Sequence, residues 1–258
     1  MFASSLGLSC FLLCLLFVLP GQSHVLIQDG GGKNANKLAA PTTVKGLLSS
    51  EKKFGQHLEK ANPGFLQQSA ASQKPTFMLL GCSDSRVSEG TIFHTEPGIM
   101  FAGRNVAAQY YDEDINGNAV LTYATHHLGV QHIIVMGHYG CGGVAAAISS
   151  SMTSEKDAKD SIDHWVWPIR DTYLKSTRKE IVELREKNKK LKPVPSPTMD
   201  DPGYHALVEE NVKENVKRVH TSKVVKSYSG KKITIHGWVY DLSTAEIRDL
   251  NVTTSFGK

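Results

Sequence analysis

Three short apolar runs punctuate the chain: Thr76-Phe77-Met78-Leu79-Leu80, Ile99-Met100-Phe101-Ala102 and His132-Ile133-Ile134-Val135-Met136. The first is closed by Gly81 and the third by Gly137. Runs of this length without alternation read as strands buried on both faces. Between and around them, apolar residues recur at helical spacing. Val44–Leu66, with Leu47, Leu48, Phe54, Leu58 and Phe65, predicts one or two helices. Ala119–Leu128 predicts another, and Gly142–Ser150, small and apolar, a close-packed one. Trp165–Leu191 reads as helical and charged, Pro193–Gly203 as an irregular loop. Tyr204–Val219 reads as a helix with Val208, Val212, Val216 and Val219 on one face, and Ile233–Tyr240 as the last strand. Strands alternating with helices predict an α/β domain whose central, mostly parallel β-sheet is flanked by helices.

The N-terminus follows a different pattern. Residues 1–23 contain no charged side chain, and Leu6–Leu19 is continuously apolar. A membrane span needs roughly 20 apolar residues, so this run is short for an anchor and suits a secretory signal peptide over residues 1–23. Pro20 and Gly21 end it, Gly21-Gln22-Ser23 offers a small-x-small cleavage site, and the mature chain is expected to begin at His24. Residues 24–43, rich in Gly, Asn and Lys, read as a flexible leader, and residues 44–258 as a single domain. Secretion would leave no membrane attachment after cleavage. Asn251-Val252-Thr253 is a glycosylation sequon consistent with that route, with Asn251 the acceptor.

Composition narrows the classes. With 258 residues, 40% of them hydrophobic and 21% charged, the chain is ordinary for a folded domain and excludes wholesale disorder, collagen and a multispan membrane protein. A net charge of +4, scattered along the sequence, gives no reason to expect nucleic acid. The basic stretch Lys175–Lys192 reads as a solvated helix face. Of four cysteines, Cys10 and Cys14 leave with the signal, so Cys82 and Cys141 remain.

Those two cysteines sit at strand ends. The first apolar run leads into Gly81-Cys82-Ser83-Asp84-Ser85-Arg86, the third into Gly137-His138-Tyr139-Gly140-Cys141-Gly142-Gly143. In parallel α/β sheets ligands gather at the carboxyl ends of strands, so Cys82, Asp84, His138 and Cys141 are expected on one rim. Two thiolates, an imidazole and a carboxylate form a donor set for tetrahedral zinc. A Cys82–Cys141 disulfide is the competing reading, natural in an oxidising compartment. A redox pair is disfavoured for want of Cys-x-x-Cys. A phosphate loop is disfavoured because the glycine-rich segment lacks a Gly-Lys-Ser/Thr ending.

These motifs resemble those of the β-class carbonic anhydrases, and the similarity runs from about Gln73 to Leu250. Pro97–Ala107 resembles that family's PG-x-x-F-x-x-RN-x-A segment, Thr122-Tyr123-Ala124 with His127-Leu128 its YA-x-x-HL helix, and Gly237-Trp238-Val239-Tyr240-Asp241 its late strand. The resemblance implies a zinc enzyme that hydrates carbon dioxide reversibly to bicarbonate and a proton through zinc-bound hydroxide. It implies one Zn²⁺ per chain held by Cys82, His138 and Cys141. Asp84 would fill the fourth position in a closed form and pair with Arg86 in an open, active one. Gln73, Phe101 and Tyr123 would line the substrate cleft, facing the metal across a dimer interface, with Gly142 also at the substrate site, so the active unit would be a homodimer or homotetramer. His94, His126, His127 and His205 read as surface or packing residues rather than proton shuttles.

Departures from the family pattern spare the ligands. Ala108 and Ala245 stand where Asn and Gly are common, residues 175–203 are long, and Leu79 replaces a Trp of a second bicarbonate pocket found in some bacterial members. The alternatives are a carbonyl sulfide or carbon disulfide hydrolase on the same scaffold, or a catalytically silent zinc-binding homologue.

Overall fold

The computed structural model describes residues 42–258, so the predicted signal peptide and nearly all of the leader lie outside the described residues. The described residues divide into two compact units, residues 42–70 and 71–258. In the first, helix α1 (Val44–Ala61) starts where the Thr43 side chain accepts a hydrogen bond from the Gly46 N–H at 3.0 Å, closing one of the free donors of a helix start. Helix α2 (Phe65–Ala71) follows a short turn. The Glu59 carboxylate ties the two together, accepting from the N–H groups of Gly64 at 2.6 Å and Leu66 at 3.3 Å. The apolar side chains of Leu47, Leu48 and Phe54 on α1 are exposed.

The second unit is built on one sheet. Strands β1 (Phe77–Cys82), β2 (Met100–Asn105), β3 (His132–His138) and β4 (Ile233–Asp241) run parallel in the order β2-β1-β3-β4. Two short strands absent from the hydropathy pattern, β5 (Glu246–Asp249) and β6 (Thr254–Phe256), pair antiparallel with opposite ends of β4. Ile233–Tyr240 is therefore not the last strand. Both β1 and β3 run two residues past the ends expected from sequence, because Cys82 still pairs with Asn105 and His138 with Tyr240.

A short helix α3 (Glu89–Ile92) precedes β2. The helix predicted over Ala119–Leu128 begins earlier, as α4 (Ile115–Thr122), and its last turn, Tyr123–Leu128, is a π-helix ended by Gly129 in the left-handed region. Helix α5 (Gly142–Ser149) leaves β3 through the ligand-bearing turn. The charged stretch predicted as one helix is two, α6 (Ser161–Lys175) and α7 (Lys179–Asn188). Helix α8 (Pro202–Thr221) is capped by Asp201, whose carboxylate accepts from the N–H groups of Gly203 and Tyr204, and α9 (Lys223–Ser227) follows.

The core lies between one sheet face and helices α5, α6 and α8. Ile133, Val135, Ile235 and Val239 meet Val144, Ile148, Ile169, Val208 and Val212 there, all nearly inaccessible. Val208, Val212, Val216 and Val219 are buried, as their spacing predicted. A smaller apolar cluster of Leu79, Ile134 and Met136 covers the opposite face, with Phe93 and Trp238 against it. Arg170 on α6 is buried and donates to the carbonyls of Ala147, Ile148 and Met152, capping the end of α5.

Candidate metal centre

The carboxyl ends of β1 and β3 bring the predicted ligands together. Cys82 is the last residue of β1, His138 the last of β3, and Cys141 caps the start of α5. One ligand atom from each lies within 4.8 Å of the others, and all three residues are buried. The turn that carries Cys141 requires glycine at residue 140, where φ is +75° and a Cβ would meet the Met199 side chain.

The two sulfurs are 3.9 Å apart and both cysteines are free, so the competing disulfide is not formed. Two sulfurs each ~2.3 Å from a common tetrahedral zinc would lie ~3.8 Å apart, close to the observed separation. The imidazole is prepared in the same sense. His138 Nδ1 lies 3.1 Å from the Tyr139 carbonyl, which fixes the proton on Nδ1 and leaves the Nε2 lone pair free. That Nε2 is buried and has no hydrogen-bond partner, a costly state for a ring nitrogen unless a cation takes the lone pair. The thiols show the same demand for positive charge. A hydrogen bond from Cys141 holds the Cys82 thiol below its ordinary value against its burial. The Cys82 sulfur and burial push Cys141 up. A dication held by both sulfurs would favour their thiolate forms. The Ala107 N–H adds a contact to Cys82 Sγ at 3.4 Å. The residues fit zinc.

Asp84 stands beside this triad and is engaged by Arg86. Arg86 Nε donates at 2.9 Å, Nη2 at 2.6 Å and the Arg86 backbone N–H at 2.9 Å. Arg86 holds the Asp84 carboxyl well below the usual carboxylate range. Asp84 Oδ2 is 3.8 Å from His138 Nε2, so the ionised carboxylate borders the position the imidazole faces. Arg86 Nη2 also donates to the Gly140 carbonyl at 3.2 Å, joining the two ligand loops. Arg104 fixes the first loop from the other side, through the carbonyls of Cys82 at 2.9 Å and Asp84 at 2.7 Å.

Of the predicted cleft residues, Phe101 on β2 and Tyr123 at the start of the π-helix stack with ring centroids 5.6 Å apart, and Tyr123 is 47% exposed. His127 stacks on Tyr123 in turn, at 5.3 Å. Gln73 is exposed in the segment before β1, and Gly142 is exposed at the first position of α5. His205 packs its ring on Tyr139 at 4.0 Å and His126 lies edge-on to Tyr228, while His94 is exposed. Asn251 is exposed in the turn between β5 and β6.

Sequence reasoning missed the polar residues of α8. Tyr204, Glu209 and Asn211 are buried, the first two bonded to the His138–Cys141 turn and Asn211 to the Ala107 carbonyl beside Cys82. The available signal was the presence of Glu209, Asn211 and Asn215 among the valines of a helix read as an apolar stripe.

The comparisons agree with this geometry. The carbonic anhydrase family model matches residues 77–247. A carbonic anhydrase of Emericella nidulans is 35% identical over 208 residues, 80% of this chain and 82% of the relative. One from Candida albicans is 28% identical over 237 residues, 90% of this chain and 77% of the relative. Among solved structures, a Coccomyxa β-carbonic anhydrase in complex with acetazolamide superposes with a TM-score of 0.69 at 27% identity, covering 84% of this chain and 90% of that one. One of two tetrameric β-carbonic anhydrases from Sordaria macrospora gives 0.64 at 27% identity, covering 81% and 96%. A mostly parallel sheet that ends in buried Cys82, His138 and Cys141, in a chain matched by these relatives over four fifths of its length, belongs to the β-class carbonic anhydrase family of enzymes.

Proposed function

We propose that this chain hydrates carbon dioxide reversibly to bicarbonate and a proton at a zinc centre held by Cys82, His138 and Cys141. The observation that carries the reading is the buried triad whose His138 Nε2 has no partner, next to an Asp84 kept ionised by Arg86. Bound zinc supplies Lewis acidity that lowers the pKa of water at the site. The side chains do the rest. The Asp84 carboxylate accepts a hydrogen bond from the attacking water and turns its lone pair toward carbon dioxide. Arg86 keeps Asp84 off the position that water needs. In a dimer, Phe101 and Tyr123 would face the metal of the other chain across the interface as apolar walls suited to a small gas, the Gln73 amide there would donate to a bicarbonate oxygen, and Gly142 would border the site next to Cys141.

The exposed ring of Tyr123, stacked on a half-buried Phe101, and the exposed apolar residues of α1 support assembly as a homodimer or homotetramer, as in the tetrameric Sordaria macrospora relatives. The apolar segment Leu6–Leu19 supports export of the chain, and the exposed Asn251 sequon is suited to glycosylation on that route.

Stopped-flow carbon dioxide hydration with zinc per chain measured on the same sample tests the reading. Fast turnover with one zinc per chain is expected. Cys141→Ser should lose zinc and activity together, and Asp84→Ala should keep much of its zinc yet lose turnover. Full zinc occupancy without hydration in the native chain would overturn the activity; a fully active Asp84→Ala would overturn the role given to Asp84.

A further inference from the structure

The three ligands sit at two strand ends, Cys82 on β1 and His138 with Cys141 in the turn after β3, and α8 is linked to each of them. Tyr204 Oη donates to the Cys141 carbonyl at 2.6 Å. Asn211 Nδ2 donates to the Ala107 carbonyl at 2.9 Å, and the Ala107 N–H points at Cys82 Sγ. Glu209 Oε1 accepts from Tyr139 Oη at 2.7 Å, and the carbonyl of the same Tyr139 receives His138 Nδ1. The Tyr204 and Asn211 paths run through one residue's backbone to a ligand, and the Glu209 path through the side chain and carbonyl of Tyr139.

The helix is itself seated firmly. Gly137, next to His138, lets α8 approach so closely that a Cβ there would stand 2.6 Å from Val212 Cγ2. Asn211 is held by its own neighbour, since Asn215 Nδ2 donates to Asn211 Oδ1 at 3.1 Å. Glu209, 3% exposed, is neutralised by Arg178 Nη2 and Arg248 Nη1, each at 2.7 Å. A buried carboxylate, phenol and amide are tolerated only when paired. Here the partners include the Cys141 carbonyl, Tyr139 of the same turn, and Ala107, whose N–H meets the Cys82 sulfur.

We infer that α8 is the template of the metal centre, with Tyr204, Glu209 and Asn211 as positioning residues for Cys141, His138 and Cys82 respectively. Tyr204 holds the turn that presents the Cys141 sulfur. Glu209 anchors the Tyr139 whose carbonyl sets the His138 tautomer and ring direction. Asn211 orients the peptide whose N–H meets the Cys82 sulfur, a contact that favours the thiolate. The inference rests on the reading that this triad holds a divalent metal.

Zinc affinity by chelator competition, and the absorption spectrum of the cobalt(II)-loaded full chain, test it in Tyr204→Phe, Glu209→Gln and Asn211→Leu. Zinc affinity is expected to fall ~10- to 100-fold in each, the range for outer partners of metal ligands. The cobalt spectrum should shift, because the ligand directions change. Lys217→Ala, on the exposed side of the same helix, should leave both at the native level. Affinity is compared only between metal-free chains with native circular dichroism, so loss of fold does not imitate the effect. Tyr204→Phe keeps its ring, and with it the packing. Variants that bind zinc within about twofold of the native chain and give its cobalt spectrum would overturn the inference. A native chain that takes up no zinc would instead overturn the metal reading beneath it.

Discussion

Ala245 adopts φ +60° in the turn between β4 and β5, where its N–H returns to the Asp241 carbonyl at 2.9 Å. A β-carbon in that region costs about 1–2 kcal/mol, of which glycine returns a part as unfolded-state entropy. Ala245 is exposed, so its methyl group contributes no burial. Ala245→Gly should therefore raise stability by roughly 0.5–1 kcal/mol in urea unfolding; a lower midpoint would mean that the turn is not strained. Ala107 and Ala108 are also left-handed, but both are buried, and Ala107 presents its N–H to Cys82 from that conformation. At this scale the sequence was legible where the side chains themselves meet at the strand ends. Cys82, Asp84, Arg86, His138 and Cys141 are residue types with few other reasons to share two strand ends. Tyr204 and Asn211 were not legible, because they act on backbone carbonyls, which leave no motif. Glu209 was hidden for a related reason, since its partners Tyr139, Arg178 and Arg248 are far apart in the chain.

Gly81 and Gly137 read as strand terminators, yet the strands continue through both. Glycine at residue 137 serves proximity rather than a turn: its absent Cβ admits Val212 and Val208 of α8 against β3. Gly137→Ala should lower stability by about 2 kcal/mol, the usual cost of overpacking. Equilibrium unfolding checks this, and a loss below about 0.5 kcal/mol would mean that Val212 turns aside freely. The long elements were legible because parallel strands buried on both faces and an apolar-faced helix leave strong periodic signals. The short β5 was invisible because all four of its residues are exposed and carry no alternation of burial. The break between α6 and α7 was equally silent, since no glycine or proline marks residues 176–178. There Arg178 turns inward to Glu209 and Glu210, and the Arg185 guanidinium donates to the carbonyls of Tyr173 and Ser176 at the end of α6. Tertiary bonds, not local propensity, set that corner.

Across the whole second unit, Glu209 is where ligand loop, helices and sheet edge meet. Tyr139 comes from the β3 turn, Arg178 from the start of α7 and Arg248 from β5, while Glu180 and Glu210 also face Arg178 and the His205 ring lies on Tyr139. Burial alone would raise the pKa of the Glu209 carboxyl. The hydrogen bond from Tyr139 and the two guanidinium groups outweigh it and hold the value below the ordinary 4.5. A carboxylate whose pKa is depressed by folding contributes stability that is fully present above its unfolded value. That stability is lost as pH falls through the lower folded value. The arrangement therefore predicts an acid limb specific to this residue. In metal-free protein, where acid-driven loss of metal does not intervene, the stability gap between the native chain and Glu209→Gln should be widest near pH 7 and narrow steadily below about pH 4.5. Carboxylates outside this cluster titrate equally in both chains, so the difference reports Glu209 together with Glu180 and Glu210, which share Arg178. Urea midpoints for the pair, taken from about pH 7 down to about pH 3.5, decide the matter. A gap that stays constant over that range would mean Glu209 is not held as a carboxylate by its two arginines, and the junction of α7, α8 and β5 would have to be stabilised by packing alone.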